Sequence, residues 1–287
     1  MWLCFGELRN VRTVAHLSDL HFGRIDTAVL PALHVAIMTA QPDVIVVSGD
    51  LTQRARRREF QAARQFLDSL PFPRLVVPGN HDIPLYNLIS RGLVPFGTYR
   101  RYFHNDLEPF YADEEIAILG VNTARALTFK NGRINRSQIE QSCARLDACG
   151  PHVTRIVVTH HPFDTPEAGH ETDVIARAPV AMAAFGRCRV DLILSGHLHI
   201  THVRQSTVRY GNGYASLLVQ AGTATSTRRR GEVNAFHLIH VDLPRLSVES
   251  LTWGRAGGCF RVTATERFEH TPAGWSPAFQ RQDTDQR

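Results

Sequence analysis

The chain has few cysteines and no long apolar run, and each shortage excludes a class of protein. Its 287 residues include five cysteines and no Cys-x-x-Cys spacing, the positions being Cys4, Cys143, Cys149, Cys188 and Cys259. This pattern argues against a disulfide-built module and a cysteine zinc site, and it predicts reduced, mostly buried thiols. No stretch approaches the roughly 20 apolar residues that a membrane span needs. We therefore expect no integral membrane segment.

The excess of positive charge is small, and we expect no targeting signal at the start of the sequence. Residues 1–12 have neither a basic start nor a long apolar stretch, so we expect a cytoplasmic protein. Lys and Arg number 32 against 27 Asp and Glu, a formal net charge of +5. Such an excess suits an anionic substrate but is common without one. The arginine runs at 54–58 and 228–230 have no interleaved aromatic residues, which argues against a nucleic-acid partner.

Short β-branched runs alternate with helical stretches over the first 80 residues. Residues 11–19, 43–50 and 74–80 have the composition of buried strands, and residues 27–40 and 58–70 carry apolar side chains at helical spacing. This β-α-β-α-β order predicts parallel strands joined by right-handed crossover helices.

The second half of the chain supplies further strands and then changes character. Residues 116–122, 154–161 and 190–197 are strand-like, and Ser137 with Glu140 forms a capping-box pattern that predicts a helix between the first two. After residue 200 the pattern predicts strands alone. We therefore expect an α/β fold in which two packed sheets are flanked by helices.

Two segments depart from this regular pattern. Residues 83–112 are aromatic, contain three prolines and show no clean period, which predicts an irregular insertion over one end of a sheet. Residues 271–287 contain Pro, Gln and Asp, which predicts a loose C-terminal tail. No internal repeat or linker divides the remainder, so a single domain over residues 1–270 is expected.

Polar side chains follow five of the predicted strands at the point where each strand ends. Because ligands of open α/β sheets bind beyond the carboxyl ends of the strands, these side chains are expected at one edge. Each motif alone also fits a capping Asp, a Gly-Asp turn or a hydrogen-bonded histidine. Their joint occurrence favours a site. The motifs are Asp19-Leu-His21, Gly49-Asp50, Asn80-His81, His160-His161 and Gly196-His197-Leu-His199.

The residue types in these motifs indicate the chemistry. Imidazole and carboxylate groups suit Mn, Fe, Zn or Co, and the absence of cysteine argues against a structural zinc site. Two ions roughly 4 Å apart can share a bridging carboxylate, activate a hydroxide between them and clamp both oxygens of an in-line displacement. That is phosphoryl chemistry. Seven candidate ligands imply two ions: Asp19, His21, Asp50, Asn80, His160, His197 and His199.

The same motifs carry a family resemblance. In order, the blocks D-L-H, G-D, G-N-H-D, the His of H-H-P and G-H-L-H resemble the five blocks of the calcineurin-like metallophosphoesterases, over residues 19 to 199. The resemblance implies a four-layer sandwich, with helices around two mixed sheets, and two ions of Mn, Fe or Zn.

The resemblance also implies a role for each matching residue. By position, Asp19, His21 and His199 would hold the first ion, and Asn80, His160 and His197 the second, with Asp50 bridging both. His81 would protonate the leaving alkoxide or steady the phosphate.

Within this superfamily the sequence favours a phosphodiesterase. Protein phosphatases carry a G-D-x-x-D-R-G block, whereas residues 49–54 are GDLTQR and lack the second Asp and the Gly. The size and motifs look most like the class III cyclic-nucleotide phosphodiesterases, which implies a 3′,5′-cyclic nucleotide as a small-molecule substrate. A glycerophosphodiester, or the pyrophosphate of a nucleotide-linked lipid precursor, is the alternative. A binding scaffold is a further one, although all seven ligands and His81 are present.

The arginine runs are the candidates for substrate contacts outside the metal motifs, since a guanidinium suits phosphate. We expect the run at 54–58 to be solvated. The run Arg228, Arg229 and Arg230 either faces solvent or lines the mouth of the site.

Overall fold

The structure, a computed structural model, describes residues 11–165, 173–211, 213–227 and 232–278. The strands are β1 (Arg12–Leu17), β2 (Val44–Ser48), β3 (Arg74–Val77), β4 (Phe110–Ala112), β5 (Ile116–Gly120), β6 (Thr154–Val158), β7 (Leu192–Ser195), β8 (His202–Gln205), β9 (Leu217–Gln220), β10 (Ala235–Asp242), β11 (Arg245–Gly254), β12 (Cys259–Thr271) and β13 (Gly274–Pro277). The helices are α1 (Val29–Ala40), α2 (Arg57–Asp68), α3 (Leu88–Leu93), α4 (Gly97–Tyr102), α5 (Arg136–Asp147), α6 (Ala178–Arg187) and α7 (Thr207–Tyr210).

The strands form two mixed sheets. One sheet has seven strands in the order β13-β12-β11-β10-β1-β2-β3, and the other has six in the order β4-β5-β6-β7-β9-β8. In the first, β1, β2 and β3 are parallel and β10 to β13 form an antiparallel meander beside β1. In the second, β5, β6, β7 and β9 are parallel, with antiparallel strands at both edges. The β-α-β-α-β order predicted for the first 80 residues, with parallel strands, is confirmed for β1, β2 and β3.

Three hydrophobic layers hold the sheets and helices together. Alternate strand residues face opposite sides, so Val44 and Val46 of β2 pack between the sheets while Ile45 and Val47 pack under α1 and α2. On the second sheet, residues such as Val157 pack against α5 and α6. The resulting order of layers is helix, sheet, sheet, helix, which confirms the predicted four-layer sandwich.

Some local predictions were wrong. The capping box of helix α5 lies two residues earlier than the expected Ser137–Glu140 box, because Asn135 is the N-cap and its side chain accepts from the Gln138 backbone N–H at 2.8 Å. The short helix α7 interrupts the segment expected to be strands alone. The insertion at 83–112 contains α3, α4 and β4, each only three to six residues long.

The tail prediction was wrong for residues 271–277. Strand β12 runs to Thr271, and β13 then pairs with it in antiparallel register. Trp275 is completely buried and its indole N–H donates to Asp191 Oδ1 at 2.9 Å, so burial of one large side chain fixes this segment. Residues 279–287 lie outside the described part of the chain.

The cysteine prediction was wrong for one pair. Cys143 of α5 and Cys188, just after α6, form a disulfide with their Cα atoms 5.5 Å apart. The two helices pack on the same face of the second sheet, which brings together residues 45 apart in sequence. Cys149 and Cys259 are free, and Cys4 lies outside the described residues. Among the described helices, none is both long enough and apolar enough to cross a membrane.

Candidate metal centre

Five parallel strands deliver the predicted motifs to one edge of the two sheets. Asp19, Asp50, His160 and His197 each lie two residues beyond the end of their strand, and Asn80 lies three beyond β3. Backbone hydrogen bonds link neighbouring ends; the Asp19 N–H, for example, donates to the Gly49 carbonyl at 3.1 Å. Residues up to 178 positions apart thus form one cluster.

The first group of donors consists of Asp19, His21 and His199. Asp19 Oδ1 lies 3.4 Å from His21 Nε2 and 3.1 Å from His199 Nε2, and the two nitrogens are 3.2 Å apart. Donors about 2.0–2.2 Å from one ion lie roughly 3.0–3.5 Å from one another, so the triangle has the size that one ion requires. Burial alone would raise the pKa of Asp19, but the two imidazoles hold that pKa well below its usual range.

The second group lies around His160. Its Nε2 is 3.0 Å from Asn80 Oδ1, 3.3 Å from His197 Nδ1 and 3.4 Å from Asp50 Oδ1. These separations again match the edges of one coordination sphere. Burial and the nearby His160 lower the pKa of His197 to about 3, so its imidazole is neutral at pH 7, the form that can bind a cation.

Asp50 connects the two groups. One carboxylate oxygen, Oδ1, faces His160 at 3.4 Å, and the other, Oδ2, faces His21 at 3.6 Å. Burial alone would raise the pKa of Asp50, but the surrounding histidines lower it, so the group is ionised. Burial lowers the pKa of His160, yet the charge of Asp50 outweighs this and raises the pKa to about 9. A proton and a metal ion therefore compete for His160.

Outer contacts orient the donor atoms. Asp19 Oδ2 accepts from Ser18 Oγ at 2.6 Å and from the His197 N–H at 2.9 Å, which turns Oδ1 toward the first group. His160 Nδ1 lies 2.8 Å from the Ser48 carbonyl, so in the neutral imidazole Nδ1 carries the proton and Nε2 offers its lone pair to a metal ion. The Asn80 amide donates to the Phe129 carbonyl at 3.2 Å, leaving Oδ1 toward His160.

An unpaired buried atom supports the same interpretation. Asp19 Oδ1, the carboxylate oxygen that faces the first group, is buried and makes no hydrogen bond of good geometry among the described residues. Leaving such an atom unpaired costs about 1–3 kcal/mol. A cation beside this anionic, imidazole-rich cluster would offset that cost, so the donor set fits the divalent ions predicted from the sequence.

The backbone of the site is held in an unfavourable conformation. Asp19, His21, Asp50, His197 and His199 all have φ between 47° and 72°, the left-handed region that non-glycine residues rarely adopt. Such residues cost of order 1 kcal/mol or more each and persist at sites where surrounding contacts enforce them. The left-handed backbone conformation turns each side chain toward the cluster immediately after its strand ends.

Close packing also explains the glycine before Asn80. A Cβ on Gly79 would lie 2.1 Å from Asp50 Oδ1. Any residue other than glycine at position 79 would therefore displace Asp50 from the position in which it faces both donor groups.

His81 lies beside the first group. Its ring makes an edge contact with the His21 ring at a centroid distance of 4.9 Å, and its Nδ1 is 2.8 Å from the Gln53 carbonyl. The backbone N–H of His81 donates to Asp50 Oδ1 at 2.8 Å. The ring is thus oriented at the rim of the cluster and is partly exposed, as a group that contacts substrate must be.

Two residues of the motifs had no role in the sequence interpretation. His161 is buried, with Nδ1 2.8 Å from Thr123 Oγ1 and Nε2 2.9 Å from the Lys130 carbonyl. Although its ring lies among the candidate donors, both nitrogens are engaged, so His161 supports its neighbours by packing. In the sequence, the position of His161 in the H-H-P block was the available indication that it lies at the site.

The second such residue, Asp82, fastens two strand ends together. Its carboxylate accepts from the N–H groups of Leu51, Thr52 and Gly79 at 2.9–3.1 Å and from Thr52 Oγ1 at 2.9 Å. Asp82 therefore fixes the loop that carries Asp50 against the loop that carries Asn80.

We expect Asp82→Ala to lower both stability and metal affinity. Three buried N–H groups would lose their acceptor, which should reduce the free energy of unfolding by about 3–5 kcal/mol. Metal affinity should fall about 10–100-fold, as for other residues that orient ligands. Denaturant unfolding and metal titration measure the two effects.

Asp113→Ala is the matched control. Asp113 lies away from the site, and its carboxylate accepts from the Glu115 and Ile116 N–H groups at 2.8 and 2.9 Å. An Asp82 variant that lost stability but kept wild-type metal affinity would contradict this role.

The structure describes only one of the two arginine runs for which the sequence led to a prediction. Arg54, Arg56, Arg57 and Arg58 are exposed, which confirms their predicted solvation. Arg228, Arg229 and Arg230 lie outside the described residues.

Comparisons with known proteins place this geometry in a class. The calcineurin-like phosphoesterase family model matches residues 12–201. The glycerophosphodiester phosphodiesterase GpdQ of Enterobacter lignolyticus is 41% identical over 80 residues, which span 24% of this chain and 29% of that relative. A probable cyclic nucleotide phosphodiesterase of Ruthia magnifica is 23% identical over 194 residues, covering 64% of this chain and 76% of the relative. A purple acid phosphatase from yellow lupin seeds covers 90% of this chain and 53% of its own, with a TM-score of 0.68 and 13% identity, a likeness of fold.

The fold and the family match define a phosphoester hydrolase of the metal-dependent class. The chain belongs to the calcineurin-like phosphoesterase family. Membership implies divalent metal ions, and the described residues include three groups of His and Asp side chains that could hold them.

Proposed function

We propose that the protein is a dinuclear metal-dependent phosphodiesterase. The observation that carries the proposal is the position of Asp50, whose two carboxylate oxygens face two separate groups of donors. Asp19, His21 and His199 would hold one ion, and Asn80, His160 and His197 the other. Two bound ions would supply Lewis acidity, activating a water as nucleophile and neutralising the charge of the phosphoryl oxygens.

The chain's own residues would then complete the reaction. As a P–O bond to the water oxygen forms, the bond to the leaving oxygen breaks, and that oxygen needs a proton. His81 lies beside the first group and would donate this proton or hold the phosphate in place. Its contact with the Gln53 carbonyl keeps the ring in this orientation.

The relatives favour a diester as substrate. The two longer alignments, covering 76% and 80% of the relatives, are with probable cyclic nucleotide phosphodiesterases, which makes a 3′,5′-cyclic nucleotide the first substrate to test. The higher identity over a shorter region, 41%, is with a glycerophosphodiester phosphodiesterase and favours a glycerophosphodiester as the second.

The test is hydrolysis of bis(p-nitrophenyl) phosphate beside p-nitrophenyl phosphate after reconstitution with Mn²⁺. We expect faster turnover of the diester, abolished by a chelator. Turnover of the monoester alone would overturn the diester assignment, and turnover of neither ester by metal-loaded protein would favour a binding scaffold.

Metal removal should also destabilise the protein. Ligands that bind only the folded state stabilise it by about 2.7 kcal/mol for each site at a concentration a hundred times the dissociation constant. We therefore expect a lower midpoint of denaturant unfolding with chelator than with Mn²⁺. The Asp50→Ala variant is the control, because its midpoint should not respond to the chelator. Equal midpoints of the wild-type protein in both conditions would argue against metal ions in this cluster.

A further inference from the structure

The largest exposed apolar side chains of the protein are concentrated beside the metal centre. Within the described residues, the exposed leucines and isoleucines all lie in residues 85–94 or at position 127. Ile89 and Leu93 are four residues apart and therefore share one face of α3; they are 75% and 79% exposed. We call this surface the apolar rim, and its members are Leu85, Tyr86, Leu88, Ile89, Leu93, Val94, Leu127 and Phe129.

A buried arginine holds the rim in place. Arg91, on the inner side of α3, donates to the carbonyls of Ala126 at 2.6 Å and Thr128 at 2.8 Å, which flank Leu127. Its guanidinium also lies 4.2 Å from the Phe129 ring centroid. The two segments of the rim are therefore joined, and the exposed side chains belong to a fixed surface. A fixed apolar surface binds with less loss of conformational entropy than a mobile one.

The rim is continuous with the metal centre. The Phe129 carbonyl accepts from the amide of Asn80, a proposed ligand, at 3.2 Å. At the other side, Arg54 lies over the Tyr86 ring at 5.4 Å, and Gln53, its neighbour in sequence, contacts His81. A surface bound to the rim would therefore lie next to the candidate site.

Positive charge accompanies this apolar surface. Arg54, the first of the exposed arginines at 54–58, contacts the Tyr86 ring of the rim. Arg100 and Arg101 are exposed on α4, the helix that follows α3 in the chain. Apolar side chains bordered by cations are typical of surfaces that lie in the interface of an anionic membrane. In a symmetric dimer the same patch would meet itself, which would bring the arginine runs toward each other. The charge therefore favours a lipid surface over a second copy of the chain.

We propose that the apolar rim docks onto an anionic lipid bilayer, with its apolar side chains at the acyl boundary and its arginines against the headgroups. This orientation places the metal centre next to the headgroups. If the proposed phosphodiesterase function holds, on which this consequence rests, a phosphodiester carried by a lipid would reach the centre at the bilayer surface.

Co-sedimentation with vesicles tests the proposal. Metal-loaded protein is mixed with vesicles of phosphatidylcholine alone or with one third phosphatidylglycerol. We expect binding to the anionic vesicles that is at least roughly tenfold stronger than to the neutral ones. Leu88→Ser/Ile89→Ser/Leu93→Ser should weaken binding to the anionic vesicles by roughly tenfold or more, since apolar area leaves the interface.

Matched controls separate the rim from general hydrophobicity. Val35→Ser/Val180→Ser/Val208→Ser removes three side chains that are 57–64% exposed elsewhere, and its vesicle binding should equal that of the wild type. Arg54→Gln/Arg57→Gln/Arg58→Gln leaves the apolar side chains in place, so it should weaken binding to anionic vesicles and not to neutral ones. Thermal unfolding and metal content show that each variant is folded.

Three results would overturn the proposal: wild-type protein that stays in the supernatant, a rim variant that binds like the wild type, or a dimer that dissociates only in the rim variant. Hydrolysis of bis(p-nitrophenyl) phosphate is measured on the same wild-type sample. Vesicle binding without hydrolysis would remove the proposed function and keep the docking surface, whereas hydrolysis without vesicle binding would do the reverse.

Discussion

Replacing Asp50 by Ala should abolish binding of both metal ions and reduce diester hydrolysis by at least roughly a hundredfold. Loss of a residue that only orients a metal ligand already costs up to about a hundredfold in activity, and loss of a ligand should cost at least as much. The reason is that its two carboxylate oxygens face both donor groups. Elemental analysis of purified protein should show two ions per wild-type chain and none in the variant. Turnover of bis(p-nitrophenyl) phosphate should fall in parallel.

Two controls make this result specific. Asp68→Ala makes the same chemical change at an exposed aspartate that pairs with Arg64 and Arg74, and it should leave metal content unchanged. Asn80→Ala removes a ligand of the second group alone and should weaken one ion selectively. A variant lacking Asp50 that retained two ions per chain would refute the bridging role, and loss of only one ion would assign Asp50 to a single group.

His81→Ala has the opposite signature: the variant should keep both ions and lose turnover. A general acid contributes typically 10²–10⁴-fold, so a loss of about that size is expected for a diester with a poor leaving group. The p-nitrophenolate leaving group needs less protonation, and the loss should therefore be smaller for bis(p-nitrophenyl) phosphate. The contact of His81 with Asp50 runs through the backbone N–H, which alanine retains, so metal binding should persist.

The leaving-group comparison separates two roles of His81. An equal loss for good and poor leaving groups would show that the imidazole steadies the phosphate and does not act as an acid. His104→Ala, in the exposed part of the insertion, is the control and should have wild-type rates with both substrates. Unchanged turnover of the poor substrate by the His81 variant would remove this residue from the mechanism.

Much of the fold was predictable because its signals are local. The alternation of Val44 to Val47 between two cores belongs to one strand, and the crossover order follows from the sequence of elements. The disulfide of Cys143 and Cys188, and the strand held by Trp275, depend on contacts between distant segments. No spacing in the sequence could have revealed them.

The location of the candidate site could also be predicted from local features of the sequence. Asp19, Asp50 and His160 each follow a buried strand, and parallel strands end at the same edge, so the sequence by itself determined where these side chains gather and which ions they suit. It did not determine which oxygen of Asp50 faces which group, since that depends on the left-handed backbone and on the hydrogen bonds of Asp82.

The tertiary structure alone decided the surface around the site. The sequence showed that residues 83–112 are aromatic, which suits a packed insertion as well as an exposed one. In the structure Tyr99 of the insertion is buried, whereas Ile89 and Leu93 face outward because Arg91 occupies the inner side of α3. Exposure depends on which neighbours cover a residue. Those neighbours, here the loop at 126–129, come from elsewhere in the chain.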